Sequence, residues 1–175
     1  VAMGLPKKRL QRQDAETLYE AVNQLIRVHQ FRDRDRICCH DVSVAQCYAL
    51  ETLVKQGPLR LQTLAQEMFL DKSTASRVVD SLERKGYVTR VEDASDRRAV
   101  QLHPTPAGRT LYQTIRADLV TEELAMIKDM DPAVLDASLD LLRQLTRAAQ
   151  ARCGVAGGHA IESEPLGVSG FFLDR

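Results

Sequence analysis

Apolar residues recur at steps of three and four from the start of the chain: Leu18, Val22, Leu25 and His29, with Ala15, Ala21 and Ile26 alongside. This spacing predicts an amphipathic helix from Asp14 to about Phe31. The alternating Arg and Asp of Arg32–Arg36 predict a solvated helix end or loop. Ser43 opens a second helix, because Ser43 and Gln46 have the spacing at which each side chain satisfies a backbone N–H of the other's turn. Leu50, Leu53 and Val54 continue its apolar face, and Gly57-Pro58 ends it. A short helix near Gln62–Met68 turns Leu61, Leu64, Ala65 and Met68 inward. The stretch DKSTASRVVDSLERKGY follows, capped by Asp71 or Ser73, with a core stripe of Ala75, Val78, Val79 and Leu82 ending at Gly86. So short a gap between two helices is the layout of a helix-turn-helix.

Beyond Gly86 the period changes. Tyr87–Val91 and Ala99–Leu102 are β-prone runs flanking the charged Glu92–Arg98, which predicts a hairpin with a polar tip. Thr105-Pro106 supplies an N-cap and a proline at the first helical position. The helix behind it runs to about Lys128 with Leu111, Ile115, Leu119 and Leu124 on one side. Asp131-Pro132 repeats the signal for a last helix carrying Leu135, Leu139, Leu142 and Leu145. The predicted fold is mostly α with a small β-hairpin wing.

Composition narrows this picture without redrawing it. The 175 residues suffice for one domain with a buried core. No apolar run approaches the roughly 20 residues of a membrane span, and the start VAMGLPKKRL lacks a signal-peptide core. Val1-Ala2 ahead of Met3 reads as an expression remnant. The cysteines do not read as a secreted disulfide framework, so a cytoplasmic protein is expected. Lys plus Arg equal Asp plus Glu at 24 each, so total charge offers no support for nucleic-acid binding. Local charge does: over residues 72–109, Lys72, Arg77, Arg84, Lys85, Arg90, Arg97, Arg98 and Arg109 outnumber Asp80, Glu83, Glu92, Asp93 and Asp96. After Ala151 glycines crowd the chain, which predicts a flexible or extended appendix in which Phe171-Phe172-Leu173 could dock.

Several of these pieces together resemble the winged helix-turn-helix of the MarR family of bacterial transcription regulators. They are Leu64-Ala65, Asp71-Lys72-Ser73-Thr74-Ala75-Ser76-Arg77, Leu82-Glu83-Arg84-Lys85-Gly86-Tyr87-Val88, Asp96-Arg97-Arg98 and Thr105-Pro106-Ala107-Gly108. Order and spacing agree from about residue 42 to 110, and flanking helices extend the likeness to about 150. The chain departs from the pattern at Phe69, where the family usually has glycine, at Arg60 in place of a Ser/Thr cap, and at Pro104 in place of leucine. The resemblance implies an N-terminal extension (1–13), a dimerisation helix (14–36), a winged helix-turn-helix (37–110), C-terminal dimerisation helices (111–150) and the Gly-rich tail (151–175). It also implies a homodimer on a near-palindromic duplex operator, acting as a repressor that an effector releases, with no membrane partner and no required cofactor.

The reading helix follows from position as well as from likeness. Lys72, Ser73, Thr74, Ser76 and Arg77 lie at the N-terminal end of the second helix of the motif, the end that meets base edges and phosphates. Arg77 suits bidentate bonds to guanine, whereas Ser73 and Thr74 suit phosphate beside the helix terminus. Arg97 and Arg98 suit a narrow minor groove, and the resemblance supports that placement for at least one of them. Ordinary solvated charges are the alternative for each residue taken alone.

The run CCHDVSVAQC, residues 38–47, stays open. Cys47 fits a hydrophobic staple with Val42. Cys38 and Cys39 are adjacent, and converging with Cys47 they would suit a thiophilic ion such as As(III), or Zn(II) completed by His40 or a group from a second chain. A disulfide from Cys38 or Cys39 to Cys47 is the redox alternative, and the nearby Arg32, Arg34 and Arg36, by lowering a thiol pKa, would favour either chemistry. Inert thiols with a small organic effector form another reading. A thiol-dependent enzyme is the remote one, since the chain shows no phosphate-binding glycine loop and no C-x-x-C.

Overall fold

The computed structural model describes residues 10–93 and 96–152, with residues 96–98 described by backbone alone. The segment 1–9, the wing tip at 94–95, and Cys153 with the glycine-rich tail lie outside the described residues. What is described falls into two compact units, one ending at Glu123 and one beginning at Leu124.

The first unit opens with α1 (Arg12–Cys38), in which the Asp14 carboxylate accepts the Gln11 backbone N–H at 2.8 Å. The helix outruns its expected end at Phe31. Arg32 and Arg36 stand one turn apart on the same face, and both meet carboxylates of α5 (Pro106–Ile127): Arg32 reaches Glu123 at 2.6 Å, and Arg36 pairs with Glu122. The charge run predicted as an end or loop is therefore helix, held by partners about 90 residues away in sequence.

Helix α2 (Val44–Gln56) starts as its sequence dictates. The Ser43 hydroxyl accepts the Gln46 N–H at 3.2 Å and Gln46 returns the bond at 3.1 Å. Val42 and Cys47, the two ends of the predicted staple, are both buried in one small cluster with Ile37 and Ile115. Strand β1 (Leu59–Arg60), α3 (Leu61–Glu67) and α4 (Lys72–Arg84) follow, then the hairpin β2 (Val88–Asp93) and β3 (Asp96–Pro104). The sheet is antiparallel in the order β1-β3-β2, with Arg90 opposite Leu102 and Val88 opposite Pro104. Both strands run past their β-prone cores, because each pairs with the other through residues that have little strand preference of their own.

The larger core gathers Leu50, Leu53, Leu64, Val79, Leu82 and Leu102, so α2, the two helices of the motif and the wing share one interior. The start of α5 is stitched to the end of α4. The Thr105 hydroxyl accepts the Gly108 N–H at 3.1 Å and donates to the Gly86 carbonyl at 2.7 Å, while the Thr105 N–H donates to the Tyr87 carbonyl at 3.0 Å. Along α1 the predicted apolar stripe is largely open in the single chain, with Leu18, Leu25 and Ile26 exposed and Val22 and His29 half-buried.

The second unit contains the end of α5 and α6 (Pro132–Arg152), whose start is capped by Asp131 accepting the Ala133 N–H at 2.7 Å. Of the leucines named above for this helix, Leu139 and Leu142 are exposed in the single chain, and Leu135 and Leu145 are half-buried.

Candidate nucleic-acid interface

Helix α4 buries Ala75, Val79 and Leu82 and turns its opposite face to water, as a helix must when it lies on a core by one stripe. Its N-cap is Asp71, one of the two expected caps. That carboxylate takes three bonds: from the Thr74 N–H at 2.8 Å, the Ser73 hydroxyl at 2.5 Å and the Thr74 hydroxyl at 2.7 Å. The Ser73 hydroxyl first, then the Thr74 hydroxyl and N–H, hold the Asp71 carboxyl well below the usual carboxylate range. The hydroxyl protons of Ser73 and Thr74 are thereby committed inward, and each hydroxyl presents only its acceptor side to the surroundings. Phosphate oxygens only accept, so phosphate contacts through these groups require them to turn away from Asp71.

Lys72 and Arg77 are exposed on the outer face, and Ser76 is half-buried between them. Arg77 leans on the Thr74 hydroxyl at 3.3 Å, and among the described residues neither Lys72 nor Arg77 pairs with a carboxylate. Two other cations of the basic stretch are engaged within the fold. Arg90 on β2 bridges Asp80, at 2.6 Å, and Glu83, both on α4. Lys85 donates to the Asp41 carbonyl and lies 3.6 Å from its carboxylate. Among the described residues, Lys72 and Arg77 are the cations near the N-terminal end of α4 that make no such pair.

A second anchor holds the wing. Asp93 is buried, and its carboxylate accepts from Arg60 at 2.9 Å and from Gln101 at 3.1 Å, joining all three strands. Arg60, which stands where a capping side chain was expected for α3, makes no cap and serves the sheet instead. Sequence reading missed Arg90 and Asp93. The signal for the first was present, since Asp80 and Glu83 are three apart on a helix face and a lone arginine follows on the adjoining strand. The side chains of Arg97 and Arg98 lie outside the described residues, and only their places on β3 are fixed.

The cysteines are divided. Cys47 is buried, and burial first, with the charges of Glu51 and Asp33 behind it, pushes its thiol up to about 11. Cys38 and Cys39 are exposed where α1 gives way to the turn, and the Cys39 thiol donates to the Asp35 carbonyl at 3.3 Å. Among the described residues no three His, Cys, Asp or Glu side chains of the chain are arranged to hold a metal ion. The turn is nonetheless tied on both sides. His40 lies 3.3 Å from Asp118 of α5, Asp41 receives Lys85 from the end of α4, and Gln46 donates to Ser81 of α4 at 2.8 Å.

Comparison with known proteins agrees with this arrangement. A family profile described as MarR family matches residues 40–99. The uncharacterized HTH-type transcriptional regulator YsmB of Bacillus subtilis is 24% identical over 113 residues, 65% of this chain and 75% of that protein. YpoP, another uncharacterized HTH-type transcriptional regulator of Bacillus subtilis, is 30% identical over 100 residues, 57% of this chain and 68% of that protein. Two further Bacillus subtilis regulators are matched over about half of their own length. A MarR family protein of Bacillus stearothermophilus shares the fold with a TM-score of 0.74 at 20% identity, over 81% of this chain and 99% of that one. With its helix-turn-helix and its wing in the same order, the chain belongs to the MarR family of winged helix-turn-helix, DNA-binding transcriptional regulators.

Proposed function

We propose that the protein is a homodimeric repressor that reads a near-palindromic operator through the N-terminal face of α4. The observation that carries this reading is the pair Lys72 and Arg77, exposed and, among the described residues, without carboxylate partners, while Lys85 and Arg90 are engaged elsewhere. Arg77 supplies a fork for a guanine edge, Lys72 a charge for phosphate, and Arg97 and Arg98 minor-groove contacts from the wing. One such helix reads only a few base pairs, so two copies are needed. The exposed apolar residues of α1 and, separately, of α6 supply surface for that pairing. Enrichment of duplexes from a random pool, with the stoichiometry of the complex measured by sedimentation, tests this. A near-palindrome bound by two chains is expected, and an asymmetric site bound by one chain overturns the dimeric reading.

A second element of the proposal concerns release. Cys38 and Cys39 are accessible, and their turn is bonded both to α5 and to the end of α4, so a change at the thiols has a short path to the reading helix. A thiophilic ion such as As(III) or Zn(II), completed by a second chain, or an oxidant acts there; with inert thiols the effector is a small organic ligand. Cys47, buried and kept protonated, serves packing in this scheme. Operator binding titrated with As(III), Zn(II) and peroxide separates these cases. Loss of binding in the wild type and not in the Cys38→Ala/Cys39→Ala variant is expected, and identical responses of the two proteins remove the thiols from the mechanism.

A further inference from the structure

Phe69 occupies a place that neither the core nor the proposed DNA-facing residues explain. Helix α3 ends in a Schellman arrangement: the Leu70 N–H donates to the Ala65 carbonyl at 2.9 Å and the Phe69 N–H to the Gln66 carbonyl at 3.1 Å. That arrangement requires the left-handed region at its first residue past the helix, and Phe69 is there with φ +54°. Glycine takes this conformation freely, and any side chain with a Cβ is strained in it. Only one other non-glycine among the described residues has positive φ, Asp41, a residue type that tolerates the conformation well.

The strain is not offset by burial. Met68 and Leu61 pack against the core, whereas Phe69 is 66% exposed. A large aromatic has thus been placed in an unfavourable backbone conformation and left in water. Its location supplies the missing partner. Phe69 lies two residues before Asp71, the cap of α4, in the connection that carries the chain into the reading helix. When the N-terminal end of such a helix enters the major groove, the segment leading into it passes the groove edge. What lies at that edge for an aromatic ring is apolar: the faces of deoxyribose and the methyl group of thymine.

We infer that Phe69 is an additional DNA contact, packing its ring on the apolar edge of the groove beside the entry of α4. The inference rests on α4 being the reader, as proposed above. It makes the exposed ring an element of recognition, held in place by a turn whose strain persists in the free and the bound protein alike.

The test uses a duplex enriched from a random pool by the wild-type full chain, and a scrambled duplex, at one salt concentration. Phe69→Gly is expected to raise the thermal midpoint by about 2–4 °C, because the strain is relieved. The same variant is expected to bind the enriched duplex about five- to tenfold more weakly, the effect of returning a partly buried ring face to water. Phe69→Leu, which keeps an apolar side chain, retains most of the affinity. The salt dependence of binding stays unchanged, because no phosphate charge is lost. Replacing thymine by deoxyuridine in the enriched duplex distinguishes methyl from sugar contact: wild-type affinity falls in the first case and holds in the second. A Phe69→Gly variant that is more stable and binds as tightly as wild type overturns the inference alone. A wild type that enriches no duplex overturns the reading assigned to α4, and this inference with it.

Discussion

Replacing Gly108 by alanine places a Cβ 2.2 Å from the Tyr87 carbonyl oxygen, 3.0 Å from the Tyr87 carbonyl carbon and 3.2 Å from Leu50 Cδ2. The first two are backbone atoms, so no side chain can swing aside to make room. Tyr87 is itself fixed, with its N–H donating to the Leu82 carbonyl at 2.9 Å and its carbonyl accepting from Thr105 at 3.0 Å. Alanine gains at most about 1 kcal/mol in helix propensity, less here because Gly108 lies in the first turn of α5. Overpacking against fixed groups costs about 1–3 kcal/mol. The steric loss wins, for a net destabilisation of about 2 kcal/mol, read as a lower midpoint in urea with an unchanged slope. The displaced group is the junction between α4 and β2, so operator affinity falls with stability as the reading helix shifts on α5. Thr110→Ala, at an exposed position of the same helix, is the control and leaves both unchanged. A Gly108→Ala variant as stable as wild type refutes the claim that α4 and α5 are held in contact at this point.

Two pH dependences follow from named groups. The Asp71 carboxyl is held below its ordinary range, so its contribution to stability is full above that range and is lost as pH falls through it towards the folded value. Thermal midpoints measured from pH 5 downward should decline less for Asp71→Asn than for wild type. Cys47 has the opposite sign: with the folded thiol raised to about 11 from 9.0, its contribution is full below pH 9 and disappears as pH climbs towards 11. Cys47→Ala, though less stable at neutral pH, should lose less on going from pH 8.5 to 10.5 in urea titrations.

Much of the fold was legible because the signals are local. Ser43 with Gln46, Val42 with Cys47, Asp71 before a run of small residues, and Thr105-Pro106 each fix an element within five residues of themselves. Elements decided by distant partners were not legible in this way. The last two turns of α1 read as a solvated charge run, since nothing near Arg32 or Arg36 in sequence announces Glu123 and Glu122. The strands of the wing grew beyond their β-prone cores for the same reason, each completing the other's ladder.

The candidate site divides along a similar line. Which residues occupy the outer face of α4 follows from helical period and the capping residue. Which of them remain available does not. The commitment of the Ser73 and Thr74 hydroxyls to Asp71, and of Arg90 to Asp80 and Glu83, comes from geometry that residue types alone leave open. Phe69 was visible only as an unexpected residue in a turn; its strain and exposure required the backbone. The apolar stripes of α1 and α6 read in sequence either as dimer faces or as packing within one chain, and in the single chain many of their residues are exposed.

The central claim, that the N-terminal face of α4 reads DNA, is tested most directly by the affinity of Arg77→Ala for the enriched and the scrambled duplex at one salt concentration. Loss of a bidentate pair to guanine costs roughly 1–3 kcal/mol on the enriched duplex, so binding there should weaken by about five- to 150-fold. On the scrambled duplex, where only charge is lost, the change should be far smaller. Equal affinity of Arg77→Ala and wild type for the enriched duplex would contradict the account.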